Sequence, residues 1–84
     1  MHEVCIEQTA ERDLRRLPAK EFERIIPQIR ALTDSPRPAG SRKIVGSKSD
    51  WRIRIGNYRV IYEIDDAARV VRIMRVRHRS EAYR

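Results

Sequence analysis

Arginines alternate with large apolar residues along residues 51–64, WRIRIGNYRVIYEI, and this pattern indicates what chemistry the chain could perform. Arg52 and Arg54 precede the Gly56-Asn57 pair, and Arg59 follows it. Since side chains two residues apart on a strand share a face, the segment predicts a hairpin with one apolar face and one face of guanidinium groups. A guanidinium is planar and permanently protonated, and its fork of donors matches two phosphate oxygens. The segment therefore predicts a phosphate-binding surface.

The positive charge of the chain lies in its second half. The net charge of the 84 residues is +7. Residues 1–41 contain seven basic and seven acidic side chains, whereas residues 42–84 contain twelve basic and five acidic ones and so hold the whole excess. A one-sided positive field attracts polyanions, either nucleic acid or an acidic partner protein. A solvated arginine-rich surface would explain the number of arginines but not their clustering.

The sequence does not support a membrane protein, a disulfide-rich protein or a metal-binding protein. No apolar run approaches the roughly 20 residues that a membrane span needs, and the first residues do not have the pattern of a signal peptide. We therefore expect a soluble, cytoplasmic protein. Cys5 is the only cysteine, which leaves no disulfide framework and no thiolate metal cluster, and we interpret it as a small buried residue of the first strand. We expect neither a metal nor a cofactor.

Two helices are predicted between a first strand and the basic segment. HEVCIE at 2–7 reads as a short strand, and a helical hairpin follows at about 9–33. Thr9 is the expected N-cap of the first helix. Pro18 is expected to end that helix and begin the next, because its fixed φ fits the first turn of a helix.

The second helix has an apolar stripe and an internal proline. The stripe recurs at helical spacing and consists of Phe22, Ile25, Ile26, Ile29 and Leu32. Pro27 interrupts it, and an interior proline removes a hydrogen bond at a cost of about 3 kcal/mol. We expect a kink near residues 23–27, or two short helices that meet there.

An antiparallel meander is predicted over about 42–77, after a loop at 33–41 that is rich in proline, glycine and serine. Its strands are expected at 42–45, 51–55, 58–64 and 69–77, with Gly56-Asn57 as a two-residue hairpin turn. Such a sheet buries one face and leaves the other wet. We therefore predict a single α+β domain over 1–84. An N-terminal strand precedes a two-helix hairpin that packs on one face of a small antiparallel sheet, the opposite face is basic, and a short tail follows at 78–84.

The alternation assigns the side chains of the meander to faces. The face toward the helices is expected to hold Trp51, Ile53, Ile55, Tyr58, Val60, Tyr62 and Ile64. If the last strand also alternates, the opposite face holds Arg52, Arg54, Arg59, Arg75, Arg77 and Arg79. A merely solvated face normally mixes signs, whereas only Glu63 interrupts this one.

The order of the elements and three motifs resemble the RelE/ParE superfamily of bacterial toxins, in its RelE branch. The motifs are KIVGS at 43–47, WRIRIGNYRVIYEID at 51–65 and RVRHRSEAY at 75–83. The resemblance implies a type II toxin that forms a hetero-oligomer with a cognate antitoxin encoded nearby. It also implies a ribosome-dependent, metal-independent endoribonuclease that cleaves mRNA in the A site and so inhibits translation and arrests growth. In such enzymes the 2′-hydroxyl of the substrate attacks the adjacent phosphate.

The same resemblance implies roles for particular residues. Arg52 and Arg54 match the paired basic residues of the family's third strand, and Arg59 matches a phosphate-stabilising arginine of the fourth. Tyr83 matches a C-terminal tyrosine that stacks on a base. The arginine of the last strand matches Arg79 by one count and Arg77 by another, and we predict Arg79. Further phosphate contacts are predicted for Lys43, Lys48 and Arg75.

One departure from the family pattern concerns the general base. Well-known members of the RelE branch have lysines where this chain has Arg52 and Arg54, and a guanidinium does not give up its proton. His78 is the one nearby side chain of a type that titrates close to neutral pH. We interpret His78 either as a base or as a structural or antitoxin-contacting residue. Glu63 and Glu81 are interpreted as salt-bridge partners of neighbouring arginines rather than acid–base groups.

Two other functions are compatible with the same fold. A ParE-like toxin would inhibit DNA gyrase without cleaving RNA, and a non-catalytic module would only bind RNA or an antitoxin. The arginines and the C-terminal tyrosine favour the ribonuclease, because a gyrase inhibitor does not need that combination. The absence of the lysines favours the non-catalytic module.

Overall fold

Five strands form one sheet, and two helices lie in sequence between its first and second strands. In the computed structural model, which describes residues 1–81, the elements in chain order are β1 (Glu3–Ile6), α1 (Gln8–Arg15), α2 (Ala19–Ala31), β2 (Arg42–Lys43), β3 (Asp50–Ile55), β4 (Tyr58–Asp65) and β5 (Val70–His78). The strand order across the sheet is β1-β5-β4-β3-β2. β1 runs parallel to β5, and all other neighbours are antiparallel. The predicted α+β fold is confirmed, although the predicted strand at 42–45 is wrong beyond Lys43.

The core lies between the two helices and one face of the sheet. The prediction of which side chains of 51–64 face the helices is confirmed, since five of the seven are buried and the other two, Trp51 and Tyr58, pack against the core. The helices contribute Ala10, Leu14, Ile25 and Ile29, Leu32 follows directly after α2, and β5 contributes Val71, Ile73 and Val76. The prediction for Phe22 is wrong, because that side chain is 42% exposed. Cys5 is half-buried rather than buried.

The helix boundaries differ from the prediction at Thr9 and Pro27. α1 begins at Gln8 after Glu7, and the Thr9 hydroxyl donates to the carbonyl oxygen of Met74 at 2.9 Å, so Thr9 is not an N-cap. α2 is continuous through Pro27, so the alternative of two short helices is wrong. Glu23, whose carbonyl loses its helical donor at Pro27, is an exposed residue.

An irregularity at Met74 controls which side chains of β5 face the helices. Tyr62 pairs with Ile73 and Ile61 pairs with Arg75, so Met74 has no partner on β4. Ile73 and Val76 are consequently both buried although they lie three positions apart. This is the effect of a β-bulge, which inserts one residue and reverses the alternation. Strict alternation along the last strand is therefore wrong, but beyond Met74 the strand has the expected phase.

α1 covers the part of the β5 edge that β1 leaves open. β1 pairs with β5 only as far as Ile73. Beyond that point the Met74 carbonyl accepts from Thr9, and Asp13 Oδ2 accepts from the backbone N–H of Val76 at 2.9 Å. These contacts satisfy backbone groups that an exposed edge strand would offer to other chains.

The loop at 33–41 is fixed to the sheet by two aromatic side chains. The hydroxyl of the buried Tyr62 donates to the carbonyl of Pro36 at 2.8 Å. The guanidinium of Arg37 lies 5.2 Å from the ring centroid of Trp51, a distance at which a cation is attracted to the ring face. The loop therefore has a fixed position beside β3. No helix within residues 1–81 is long and apolar enough to cross a membrane.

Candidate nucleic-acid interface

Three rows of side chains cross the outer face of the sheet, which is the face opposite the helices. Residues directly opposite each other in antiparallel strands share a face. The register therefore aligns the arginine row, which consists of Arg54, Arg59 and Arg77. The next row holds Arg42, Arg52, Ile61 and Arg75, and the third holds Asp50, Glu63 and Arg72. Positive charge is thus concentrated toward the β3–β4 turn.

The arginine row has a cost in stability. Like charges directly opposite each other on neighbouring strands are destabilising, and this row contains no acidic residue. Where the third row brings opposite charges together, they do pair: Arg72 Nη1 lies 2.8 Å from Glu63 Oε1. The interpretation of Glu63 as a salt-bridge partner is therefore confirmed. Natural proteins keep unfavourable local arrangements mainly at functional sites, and the arginine row is such an arrangement.

Arg77 adds a buried donor to this row. Its Nε is buried and has no hydrogen-bond partner within residues 1–81. A buried donor without an acceptor costs about 1–3 kcal/mol.

A small cleft at the tip of the β3–β4 hairpin brings three predicted arginines together. The backbone N–H of Arg79 donates to the carbonyl of Asn57 at 2.7 Å, so the pairing of β4 with the chain leaving β5 continues as far as the hairpin turn. The resulting hairpin cleft has a volume of about 140 Å³ and is lined by Arg54, Gly56, Asn57, Tyr58, Arg59 and Arg79. Pockets for whole small molecules measure about 300–1,000 Å³. The hairpin cleft therefore suits a group the size of a phosphate.

Arg75 lies on the outer face but is held by a carboxylate. Its Nε is 2.9 Å from Asp13 Oδ2, and its Nη2 is 3.2 Å from Asp13 Oδ1. These hydrogen bonds to Asp13 raise the pKa of Arg75, and the charge of Glu81 raises it further. Arg75 thus ties β5 to α1, and its donors are partly occupied before any phosphate arrives. Glu81 acts electrostatically on Arg75, in line with its interpretation as a partner of arginine.

The predicted lysines lie away from the arginine row, whereas an arginine that was not predicted lies close to it. Lys43 pairs with Trp51 and so shares the helix side of the sheet, and Lys48 is in the connection before β3. Arg42 lies directly opposite Arg52 and extends the basic surface across β2. Only the register of β2 distinguishes Arg42 from Lys43, and the sequence does not specify that register.

His78 is separated from the arginine row by the sheet. It pairs with Tyr58 on the helix side, where the two rings meet edge to face with centroids 5.2 Å apart. Its Nδ1 lies 2.9 Å from the Ser80 hydroxyl and accepts from the Ser80 N–H at 3.2 Å. A general base must reach the proton that it removes, so these contacts support a structural role. Tyr83 lies outside the described residues, and residues 1–81 contain no cluster of side chains suited to a metal ion.

The family of this chain follows from comparisons with known proteins. Residues 4–83 match the model of the family described as the ParE toxin of the type II toxin–antitoxin system parDE. The chain belongs to the RelE/ParE toxin family. Toxin RelG of Mycobacterium tuberculosis is 36% identical to this RelE/ParE toxin over 80 residues, which cover 90% of this chain and 88% of RelG. Toxin RelE of the same organism is 34% identical over 84 residues, which cover 99% and 87% of the two chains.

The fold of the toxin is that of a solved family member. The toxin–antitoxin complex RelBE2 of M. tuberculosis contains a chain that matches with a TM-score of 0.81 and 29% identity, covering 92% of this chain and 96% of that one. The predicted resemblance to the RelE branch is thereby confirmed, and this chain is a RelE-family toxin of the type II toxin–antitoxin class.

Proposed function

We propose that this RelE/ParE toxin is a ribosome-dependent endoribonuclease that cleaves mRNA in the A site, without a metal ion, and arrests translation in the cytoplasm. The observation that carries the proposal is the convergence of Arg54, Arg59 and Arg79 on the hairpin cleft. Single-stranded RNA presents phosphates at regular intervals. The hairpin cleft takes the scissile phosphate, and the neighbouring row around Arg52 lies alongside the rest of the strand.

The chemistry assigned to the cleft is transesterification by the RNA itself. The 2′-oxygen forms a bond to the adjacent phosphorus as the bond from phosphorus to the 5′-oxygen breaks, which gives a 2′,3′-cyclic phosphate and a 5′-hydroxyl. Negative charge increases on the non-bridging oxygens in the transition state. Guanidinium groups fixed by the hairpin and by the Arg79–Asn57 hydrogen bond stabilise that charge without reorganising. Holding the strand in line for attack adds a further contribution.

No general base is assigned to a side chain of the described residues. Arg52 and Arg54 stay protonated, and His78 lies on the other side of the sheet. The proton of the 2′-hydroxyl therefore passes to water, and a proton from water neutralises the 5′-oxygen. Well-known members of the RelE branch have a lysine at the position of Arg54, so Arg54→Lys, which restores that ammonium, is expected to maintain or increase the rate.

The partner of the toxin is a cognate antitoxin. The M. tuberculosis structure that matches this chain is itself a toxin–antitoxin complex. We propose that an acidic amphipathic segment of the antitoxin covers Arg52, Arg54 and Arg59, because it would neutralise the arginines and block the site together. A structure of the complex with these three side chains exposed to solvent would contradict this part of the proposal.

Primer extension on a translated message tests the reaction. Purified toxin should cut the message at positions in phase with its codons, and only when ribosomes are present. Arg59→Ala and Arg79→Ala should each slow single-turnover cleavage by about 100- to 1,000-fold, the typical effect of losing one oxyanion donor. Arg59→Lys should also be slow, because an ammonium does not contact two phosphate oxygens at once.

Inhibition of DNA gyrase is the second candidate, because the matching family model is described as the ParE toxin. A supercoiling assay with purified gyrase distinguishes the two activities. If the toxin inhibits supercoiling and leaves the translated message intact, the ribonuclease proposal is wrong.

A further inference from the structure

A second groove adjoins the hairpin cleft on the side of α2. It has a volume of about 520 Å³, and two of its lining residues, Arg54 and Gly56, also line the hairpin cleft. We call it the Arg24 groove, and its remaining lining residues are Arg24, Gln28, Ala39, Gly40, Ile53 and Ile55. Among residues 1–81, no acidic side chain lines either cavity. A polyanion seated in the hairpin cleft can therefore continue into the Arg24 groove without meeting an acidic side chain of these residues.

The guanidinium of Arg24 lies against the backbone of the β3–β4 turn. A Cβ atom added to Gly56 would lie 2.7 Å from Nη1 of Arg24 and 3.1 Å from its Cζ. Gly56 also has a φ of +61°, which side chains disfavour. Glycine at position 56 thus allows both the turn and the close approach of Arg24. Arg24 takes part in none of the ion pairs found within residues 1–81.

The size and lining of the groove match a nucleotide. Its volume lies within the range of about 300–1,000 Å³ that is typical of small-molecule sites, whereas the hairpin cleft holds only a phosphate-sized group. Gln28 follows Arg24 by four positions on α2, so the two side chains share a helix face. An amide supplies both donors and an acceptor, which suits the edge of a base or a ribose hydroxyl. Ile53 and Ile55 give the groove an apolar wall.

We propose that the Arg24 groove binds the nucleotide next to the scissile phosphate, with Arg24 on the phosphate of that nucleotide and Gln28 on its base or ribose. This inference rests on the proposed function, since it assumes that the hairpin cleft holds RNA. Arg24 is then a positioning residue. Arg24 fixes the direction in which the RNA strand leaves the hairpin cleft. Gln28 provides a contact by which one nucleotide can be preferred over another.

The test combines a protein variant with removal of one phosphate charge. Messages are prepared with a single methylphosphonate, which is uncharged, at each position around the cleavage site, and are translated to place that site in the A site. For wild-type toxin, a methylphosphonate at the phosphate in the Arg24 groove should lower single-turnover kcat/KM by about 10-fold, the effect of losing one charged hydrogen bond. Arg24→Ala should lower kcat/KM by a similar factor on the normal message. On the methylphosphonate message, Arg24→Ala should have no further effect.

Arg30→Ala is the matched control. It removes the same charge from the same helix, but Arg30 lies about 120° around the helix axis from Arg24 and does not line the groove. Its effect should be equal on both messages. Thermal unfolding of both variants should show that neither change alters the fold.

The possible outcomes separate this inference from the proposed function. If wild-type toxin cleaves and Arg59→Ala does not, but Arg24→Ala behaves like Arg30→Ala, the groove is not an RNA subsite and the ribonuclease proposal still holds. If Arg24→Ala weakens only the binding of an acidic antitoxin peptide, the groove is a protein site and the inference is wrong. If wild-type toxin does not cleave any message, both proposals are wrong.

Discussion

Replacing Arg77 by methionine should make the toxin more stable and less active. Arg77 lies directly opposite Arg59 on the outer face, and its Nε is a buried donor with no acceptor within residues 1–81. Methionine keeps the unbranched apolar part of the side chain and removes both unfavourable terms. The change therefore tests whether the arginine row is maintained for binding rather than for folding.

The expected change in the free energy of unfolding follows from the like-charge pair and the unsatisfied buried donor. A like-charge pair directly across two strands costs up to about 1 kcal/mol, and an unsatisfied buried donor costs about 1–3 kcal/mol. Because Arg77 is partly exposed, we take the lower part of this range and expect the free energy of unfolding to rise by about 1–2 kcal/mol. For a chain of this length, that increase raises the midpoint of thermal unfolding by about 5–10 °C. Affinity for RNA should fall by about 10-fold, through the loss of one charged contact.

Arg72→Met is the matched control, because Arg72 lies on the same strand and the same face but is paired with Glu63. Removing this partly exposed ion pair should lower the free energy of unfolding by at most about 1 kcal/mol. Circular dichroism during thermal unfolding and RNA-binding titrations measure the two effects. If the free energy of unfolding of Arg77→Met is equal to or lower than that of the wild type, our account of the arginine row is wrong.

Five further results are expected. Asp13→Ala should lower the free energy of unfolding by about 2–3 kcal/mol in chemical denaturation, because it leaves the Val76 N–H without an acceptor and removes a partly exposed ion pair. Arg75→Ala should leave single-turnover cleavage per folded molecule within about 3-fold of the wild-type rate, a smaller change than the loss of one charged contact causes. His78→Ala should keep the shape of the pH–rate profile between about pH 5 and 8, and loss of a titration step there would show that His78 is the base. The logarithm of the association constant for single-stranded RNA should fall with the logarithm of the salt concentration, with a slope of about −0.7 for each phosphate contacted. An affinity that does not change with salt would contradict the electrostatic account. The hydrogen bond from Arg37 lowers the pKa of Asp66. The stability that this hydrogen bond contributes is therefore present above the ordinary pKa of 3.8 and is lost as the pH falls through the lowered pKa. Asp66→Asn should reduce the change of the unfolding midpoint with pH in that range.

The two-residue period at 51–64 allowed the sheet and its faces to be predicted. Within each strand the buried side chains lie two residues apart, since Ile53 and Ile55 are buried in β3 and Val60, Tyr62 and Ile64 are buried in β4. The period of a strand is a local property, so the sequence is sufficient to assign the faces. The convergence of Arg54 and Arg59 follows directly, because a two-residue turn fixes the register of the hairpin.

Features that depend on distant residues could not be predicted in the same way. The bulge at Met74 becomes visible only once β5 is paired with β4. Asp13 lies 62 positions from Arg75, and no local pattern indicates that α1 meets β5 there. The hydroxyl of Thr9 favours an N-cap, but the carbonyl of Met74 competes for that hydroxyl. In each case a tertiary contact overrides a local preference.

The position of β5 in the sheet also determines when, during synthesis, the arginine row is completed. β5 lies between β1 and β4 and holds α1 at its edge, yet it is translated after all of them. Until residues 70–78 have left the exit tunnel, β1 and α1 have no strand to pair with, and the arginine row lacks Arg77. A nascent chain that still lacks β5 therefore has no complete arginine row, although β3 and β4, which supply Arg54 and Arg59, have already been made.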